Sequence, residues 1–300
     1  MGVINLFKEP GLSSFDSVRR IRRLFNTRKV GHAGTLDPLA CGVLPLCLGR
    51  ATRLAPFIQD SIKVYRGEMV LGVETETHDG EGSLVSFQQV EVGTEELKHL
   101  FASSRGRQEQ LPPRHSARSQ QGRRYYQLAR EGREFERQKK EVEIYRLDLI
   151  HREENRVIFE VAVSRGTYIR SLVYDLGARL GCGAYLSFLL RKEVGPFKLA
   201  SALSLPEIEL RLEESDPESV LLPLDAGLVE LPAVHITAWS ARRVKNGVPF
   251  TGEEITSQEG EWELEKPVRV YGPQQEFLAL YYPQQNEEGL IEYRAGKVFA

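Results

Sequence analysis

Cysteine, methionine and tryptophan are all scarce in this 300-residue chain, at three, two and two copies. Cys41, Cys47 and Cys182 form no CxxC pair, and the odd count points away from a disulfide framework toward reduced, buried thiols in a cytosolic protein. No run approaches eighteen apolar residues, so no membrane-spanning helix is expected. The start, MGVINLFKEP, has no basic flank followed by a long apolar stretch, and Pro10 interrupts it; a signal peptide is not expected. Phosphate-loop signatures are missing, since GEGSLV is not GxGxxG and no GxxxxGK occurs. The histidines (His32, His78, His99, His115, His151, His235) include no HxxxH and no Cys/His ligand spacing, so neither zinc nor another metal is expected. GxSxG is absent too.

What is present is ordinary globular material with its charge segregated. Apolar residues make up 41% and charged residues 27%, with a net charge of −2. Arg19, Arg20, Arg22, Arg23, Arg28 and Lys29 cluster with no acid between them. From Arg105 to Lys140, eleven basic residues meet only four acids, with Tyr125, Tyr126 and Phe135 interleaved. The compensating acids crowd Glu207–Glu218 and Glu253–Glu265. Such separation suits a polyanion bound on one face, and aromatics within the basic segment suit nucleic acid.

Three hundred residues exceed what a single core usually fills, so a large domain and a smaller one are expected. Ser13 and Ser14 suit the N-cap of a helix with Val18, Ile21, Leu24 and Phe25 at helical spacing. Val43–Leu48 reads as a short buried strand, Arg50–Asp60 as a helix, and Lys63–Val73 as a strand. An Asp79-Gly80 turn leads to a strand near Leu84–Phe87, and Thr94 is expected to cap a helix through Phe101. Val142–Ile150 and Val157–Ser164 read as paired strands. A helix follows Gly166, ending at Leu180 with Gly181 just beyond. Regular βαβ alternation is missing, so the class is α+β with a mixed, largely antiparallel sheet. Leu205–Pro223 reads as an acidic connection. Beyond Pro232, short strands with Gly/Pro punctuation suggest a small β domain. The boundaries expected are 1–230 and 231–300.

The run Glu74, Glu76, Asp79, Glu81 can be read as a metal or glycosidase cluster, but its place around Asp79-Gly80 favours a solvated hairpin tip. Less ordinary is Gly31-His32-Ala33-Gly34-Thr35-Leu36-Asp37-Pro38-Leu39-Ala40-Cys41-Gly42. By composition alone it is an Asp-Pro turn. Its order resembles the H-x-G-x-L-D-P signature of the bacterial tRNA pseudouridine synthase B family, TruB. The resemblance continues in Gly2-Val3, in Lys8, Pro10-Gly11 and Ser13-Ser14, and in Lys63-Val64-Tyr65-Arg66. It extends through Ser164-Arg165-Gly166-Thr167-Tyr168-Ile169-Arg170 and Leu180-Gly181-Cys182-Gly183-Ala184. These motifs span residues 2 to about 195 in the family's order.

The resemblance implies a pseudouridine synthase fold and an enzyme that isomerises uridine 55 in the tRNA T-loop to pseudouridine. The base must leave the stack, at a cost of a few kcal/mol. An aspartate, here Asp37, attacks either C1′ of the ribose or C6 of the uracil. A nucleophilic carboxylate must be ionised; Arg170 matches the family's arginine that favours this state. Tyr65 matches the aromatic that stacks on the target base, Tyr168 a second pocket tyrosine, and Leu189 an apolar wall. His32 matches a histidine that positions the target loop. Leu190 stands where the family commonly has an arginine.

No metal or organic cofactor is implied. The partner implied is tRNA, through T-loop and T-stem, with residues 105–140 as a basic clasping arm in which Arg124, Tyr125 and Arg130 match the RNA-touching part. Residues 231–300 resemble a PUA-type domain, although the acidic run Glu253–Glu265 departs from an RNA-facing surface. One L-shaped RNA needs one pocket, so a cytoplasmic monomer without an obligate protein partner or membrane contact is expected. Two other readings compete: a non-catalytic tRNA-folding factor, and a small-molecule hydrolase built on Glu74, Glu76 and Asp79.

Overall fold

Ser13 ends the first extended segment and starts the first helix, Ser14–Leu24. Its hydroxyl accepts from the Asp16 amide at 3.1 Å, while the Asp16 carboxylate accepts from the Ser13 amide at 3.0 Å. Val18 and Ile21 are buried, whereas Arg19, Arg20 and Arg23 face solvent. The computed structural model describes Met1 to Phe299 except residues 117, 121 and 133, and the backbone alone of residues 119, 120, 124, 126 and 130. The expectations for Arg124, Tyr126 and Arg130 as side chains, and for Arg133 altogether, lie outside the described residues.

Other helices follow local chemistry, with corrections. The segment expected as one helix over Arg50–Asp60 is a 3₁₀ turn, Gly49–Leu54, followed by a short α-helix, Ala55–Asp60. Pro56 explains the break: without an N–H it fits a helix's first turn but cannot continue one. Gly93, rather than Thr94, occupies the cap of the helix Thr94–Ser103. The helix Ile169–Arg179 runs into Leu180, and Gly181 follows at φ +75°. Leu205–Pro223 is more than a connection. Ser204 and Glu207 form a capping box for a helix, Leu205–Glu214, whose Leu205 and Ile208 are buried. Pro206 reads as a breaker in sequence yet sits in the first turn.

Among the described residues the main sheet runs in the order Val3–Lys8, Cys41–Leu48, Ala184–Val194, Lys63–Leu71, Arg156–Val163, Lys140–Glu153, Gly106–Gln110. Every neighbour pair in that order is antiparallel except one: Ala184–Val194 runs parallel to Cys41–Leu48, with Leu190 opposite Cys41 and Arg191 opposite Gly42. The class is therefore mixed α+β. Odd residues of Lys63–Leu71 are buried and even ones partly exposed, the period-two pattern of a sheet with one covered face. Tyr65, Met69, Phe159 and Val161 share that core with Leu172 and Leu176 of the Ile169–Arg179 helix.

A second sheet contains Ala233–Ile236, Val268–Tyr271, Phe277–Gln285 and Ile291–Val298 around Val234, Phe250, Tyr281 and Tyr293. Leu54 of the Gly49–Leu54 turn packs in a further buried cluster with Leu228, with Leu280 of this sheet and with Phe299. Among the described residues no helix is long and apolar enough to cross a membrane.

Candidate active site

The loop carrying Asp37 is held from below by two buried cations. Lys8 is fully buried, and its ammonium donates to the carbonyls of Leu12 (2.6 Å), Glu9 (3.0 Å) and Pro38 (3.2 Å). Burial pushes its pKa down to about 8. Arg191, 1% exposed, donates to the carbonyls of Val43 (2.7 Å), Thr35 (3.2 Å) and Gly34 (3.2 Å). Ser14 adds a third hold, accepting from the Leu36 amide at 2.8 Å and donating to the Leu36 carbonyl at 2.9 Å. Residues on both sides of Asp37 are thus fixed through their backbone. Gly42 permits this closeness: at φ +109°, a Cβ there would lie 2.2 Å from the Arg191 carbonyl oxygen. Leu190 carries no guanidinium, and the neighbouring Arg191 supplies a buried one.

Above this base, Arg170 Nη2 lies 2.9 Å from Asp37 Oδ2. The Asp37 side chain is 45% exposed and that of Arg170 only 7%. Arg170 Nη1 meets Asp79 Oδ2 at 3.1 Å and the Thr77 carbonyl at 3.3 Å, and Nη2 also donates to the His115 carbonyl at 2.9 Å. The guanidinium therefore has two carboxylates and two carbonyls around it, which fixes its plane.

Asp79 corrects the solvated-tip expectation. It is 8% exposed, because the turn folds back onto the strand Ala184–Val194 through a Leu186 amide to His78 carbonyl bond of 3.1 Å. Its carboxylate also accepts from the Thr77 hydroxyl and the Glu81 amide. Glu74 instead takes a hydrogen bond from Ser86 at 3.2 Å, and Glu76 is exposed. Among the described residues no group of three acidic, histidine or cysteine side chains converges on a point where a metal ion fits.

One cavity of about 240 Å³ is lined by Asp37, Tyr65, Tyr168, Arg170 and Leu189. Lys63, Gln59, Ser164, Arg165, Thr167 and Arg191 add polar groups to its wall. Tyr65 is 8% exposed; Tyr168 has its pKa raised by burial, with the Asp37 charge adding to the shift. Lys63, 6% exposed, donates to the carbonyls of Gln59 and Ser61, and burial followed by the Arg191 charge lowers its pKa to about 8. His32 is not brought to this wall. It lies on the strand Val30–His32, where its carbonyl accepts from Gln59 at 3.4 Å and its buried Nδ1 has no partner. Burial, then Arg191, lowers its pKa.

The arm is more self-contained than the charge count suggests. Tyr125 is 3% exposed and packs on Phe135 at 4.9 Å, so it is core to the arm rather than an outward contact. Arg137 and Arg118 donate to the carbonyls of Pro112 and Gln138, and Lys139 pairs with Glu109 at 3.1 Å. A second concavity, about 580 Å³, is lined by Arg22, Arg28, Lys29, Arg50, Arg53 and Val298, with no carboxylate among its lining residues. Sequence reasoning gathered Arg22, Arg28 and Lys29 but missed Arg50 and Arg53, which reach the carbonyls of Phe299 and Val298 at 2.7 Å. No local signal identifies them.

Comparison with known proteins matches a family model described as "TruB family pseudouridylate synthase (N terminal domain)" to residues 22–169. Another, described as "tRNA pseudouridylate synthase B C-terminal domain", matches residues 170–229. The tRNA pseudouridine synthase B of Geobacillus thermodenitrificans is 38% identical over 299 residues, 97% of each chain. That of Moorella thermoacetica is 43% identical over 260 residues, 84% of each. Among solved structures, a chain of a Cbf5–Nop10–Gar1 complex superposes with a TM-score of 0.80 at 27% identity, covering 100% of this chain and 85% of that one. A chain of an H/ACA RNP bound to a substrate RNA containing 2′-deoxyuridine gives 0.79 at 26% identity, with the same coverage.

Proposed function

The chain belongs to the TruB family of tRNA pseudouridine synthases, and from that premise we propose that it isomerises uridine 55 in the T-loop of tRNA with Asp37 as nucleophile. The observation that carries this reading is the pairing of a half-exposed carboxylate with a buried guanidinium at 2.9 Å on the wall of a cavity that also presents two tyrosines. The cavity has room for one pyrimidine nucleoside, so the target base enters after leaving the helix stack. Tyr65 offers a face to the extruded base; such stacking is worth about 1–3 kcal/mol, comparable with the flipping cost.

The Asp37 carboxylate either displaces the uracil from C1′, breaking the N1–C1′ bond, or adds to C6 before that bond breaks, and the uracil turns within the cavity. C5 then bonds to C1′ as the Asp37–C1′ bond breaks (or the Asp37–C6 bond is afterwards eliminated). The C5 proton departs to solvent, N1 takes up a proton, and the free carboxylate is restored. Arg170 orients the carboxylate for the attack, Tyr168 and Leu189 bound the rotating ring, and Asp79 orients Arg170. His32, away from the cavity wall, contacts the rest of the T-loop in this reading. Residues 105–140 clasp the RNA, and Arg22, Arg28, Lys29, Arg50 and Arg53 receive its phosphates. Residues 1–230 form the catalytic domain and 231–300 a PUA-like domain. The protein acts as a cytoplasmic monomer.

The test is tritium release from unmodified tRNA transcript carrying C5-labelled uridine. Wild-type protein releases one equivalent per tRNA, mapped to position 55, and Asp37→Asn releases none; full turnover by Asp37→Asn overturns the assignment. A second reading, tRNA folding without chemistry, is favoured by the basic concavity, which shares no lining residue with the Asp37 cavity. It predicts that Asp37→Asn refolds tRNA as well as wild type does.

A further inference from the structure

Gln110 ends the edge strand Gly106–Gln110 and is 2% exposed. Its side-chain carboxamide makes a matched pair of bonds to one residue of the active site. Oε1 accepts from the Tyr168 amide at 2.7 Å, and Nε2 donates to the Tyr168 carbonyl at 3.0 Å. A neighbouring β-strand residue would offer that same donor and acceptor. Tyr168 needs such a partner: it is extended (φ −98°, ψ 113°), caps the helix Ile169–Arg179, and makes no side-chain cap bond of its own.

From this geometry we infer that Gln110 is a positioning residue for pseudouridine formation, acting through the Tyr168 peptide to set the Tyr168 ring in the cavity. The inference rests on the function proposed above. Ring placement depends on the backbone that carries it: the Tyr168 carbonyl also accepts from the Leu172 amide at 3.0 Å in the helix's first turn, while the partner of the Tyr168 amide is Gln110 Oε1. Arg170, two residues on, is anchored separately by Asp79 and the His115 carbonyl, so the clamp is local to Tyr168. Gln110 also ends the strand within residues 105–140, the basic segment; the next residue, Leu111, accepts from Ser171 at 2.9 Å. The root of the arm and the start of the catalytic helix are thereby joined at consecutive residues.

The test compares Gln110→Ala and Gln110→Met, the second filling the volume without hydrogen bonds. Both should lower the single-turnover rate of tritium release about ten- to a hundred-fold, the range for a misplaced group, while tRNA affinity stays within about two-fold. Combined with Tyr168→Ala, Gln110→Ala should cost little more, since it acts through the same residue. Amide hydrogen exchange at Tyr168 should quicken in both variants. A wild-type rate in Gln110→Met, or full additivity with Tyr168→Ala, overturns the inference. Absence of tritium release by wild type instead sinks the functional reading, and the Tyr168 exchange rate still decides whether the clamp exists.

Discussion

Asp79 and Arg170 meet at 3.1 Å through the guanidinium nitrogen that does not reach Asp37. A single buried cation thus serves two carboxylates, one facing the cavity and one sealed behind it. Asp79→Asn keeps the shape but removes the charge that aims the guanidinium. Hydrogen bonds to charged groups contribute about 1.5–3 kcal/mol, so single-turnover rates should fall about ten- to a hundred-fold with tRNA affinity nearly unchanged. Rapid-quench kinetics beside a filter-binding titration checks this. An unaltered rate would leave Asp79 with only a folding role.

Arg191 offers a stability test. Arg191→Met preserves much of the buried volume but withdraws the donors from three carbonyls, two of them in the Asp37 loop. A destabilisation of about 2–4 kcal/mol is expected in urea unfolding, with a larger fractional loss of turnover than of folded protein. Equal losses would show that the guanidinium supports the fold alone.

His78 gives a pH dependence. Its ring stacks on Tyr174 at 4.1 Å, and burial, then Arg170 and Arg137, lowers its pKa to about 4. The unfolded chain binds a proton near 6.5 while the folded one resists until about 4. The stabilisation is therefore whole above pH 6.5 and disappears as pH falls toward 4, amounting to roughly 2–3 kcal/mol. His78 sits at φ +61°, which asparagine tolerates, so His78→Asn should flatten the curve without backbone strain. Urea midpoints at pH 7.5 and 4.5 measure it; identical pH slopes for variant and wild type would count against the assignment.

The basic concavity predicts salt-dependent binding. Arg28→Ala and Lys29→Ala remove exposed charges from its wall. Each should lower the slope of log affinity against log salt by about 0.7–0.9 if it faces a phosphate. Tritium release at saturating tRNA should not change. Slopes matching wild type would place the RNA elsewhere.

Local chemistry explains which parts of this architecture could be read beforehand. The helix after Ser13 was legible because its cap and its apolar spacing lie within one short segment. The Asp37 loop was legible through the order of its residues. Asp79 was not, since an Asp-Gly turn has the same sequence whether it meets water or folds back onto Arg170, 91 residues away. Arg191 escaped for a similar reason: its partner at Val43 is 148 residues distant. Arg50 joins the basic concavity only because the chain's last strand returns beside it. His32 shows the opposite limit. The motif names it, but strand pairing with Cys41–Leu48 keeps it off the cavity wall.

With Lys8, Ser14 and Arg191 gripping the backbone on both sides of Asp37, the main chain that carries this carboxylate has little freedom to travel. In the proposed reaction the displacement that turnover demands therefore falls on the nucleotide, which swings in, pivots and leaves past an acid on a fixed main chain. Attempts to broaden the range of accepted bases should therefore alter the walls at Tyr65, Tyr168 and Leu189 and leave the anchored segment alone.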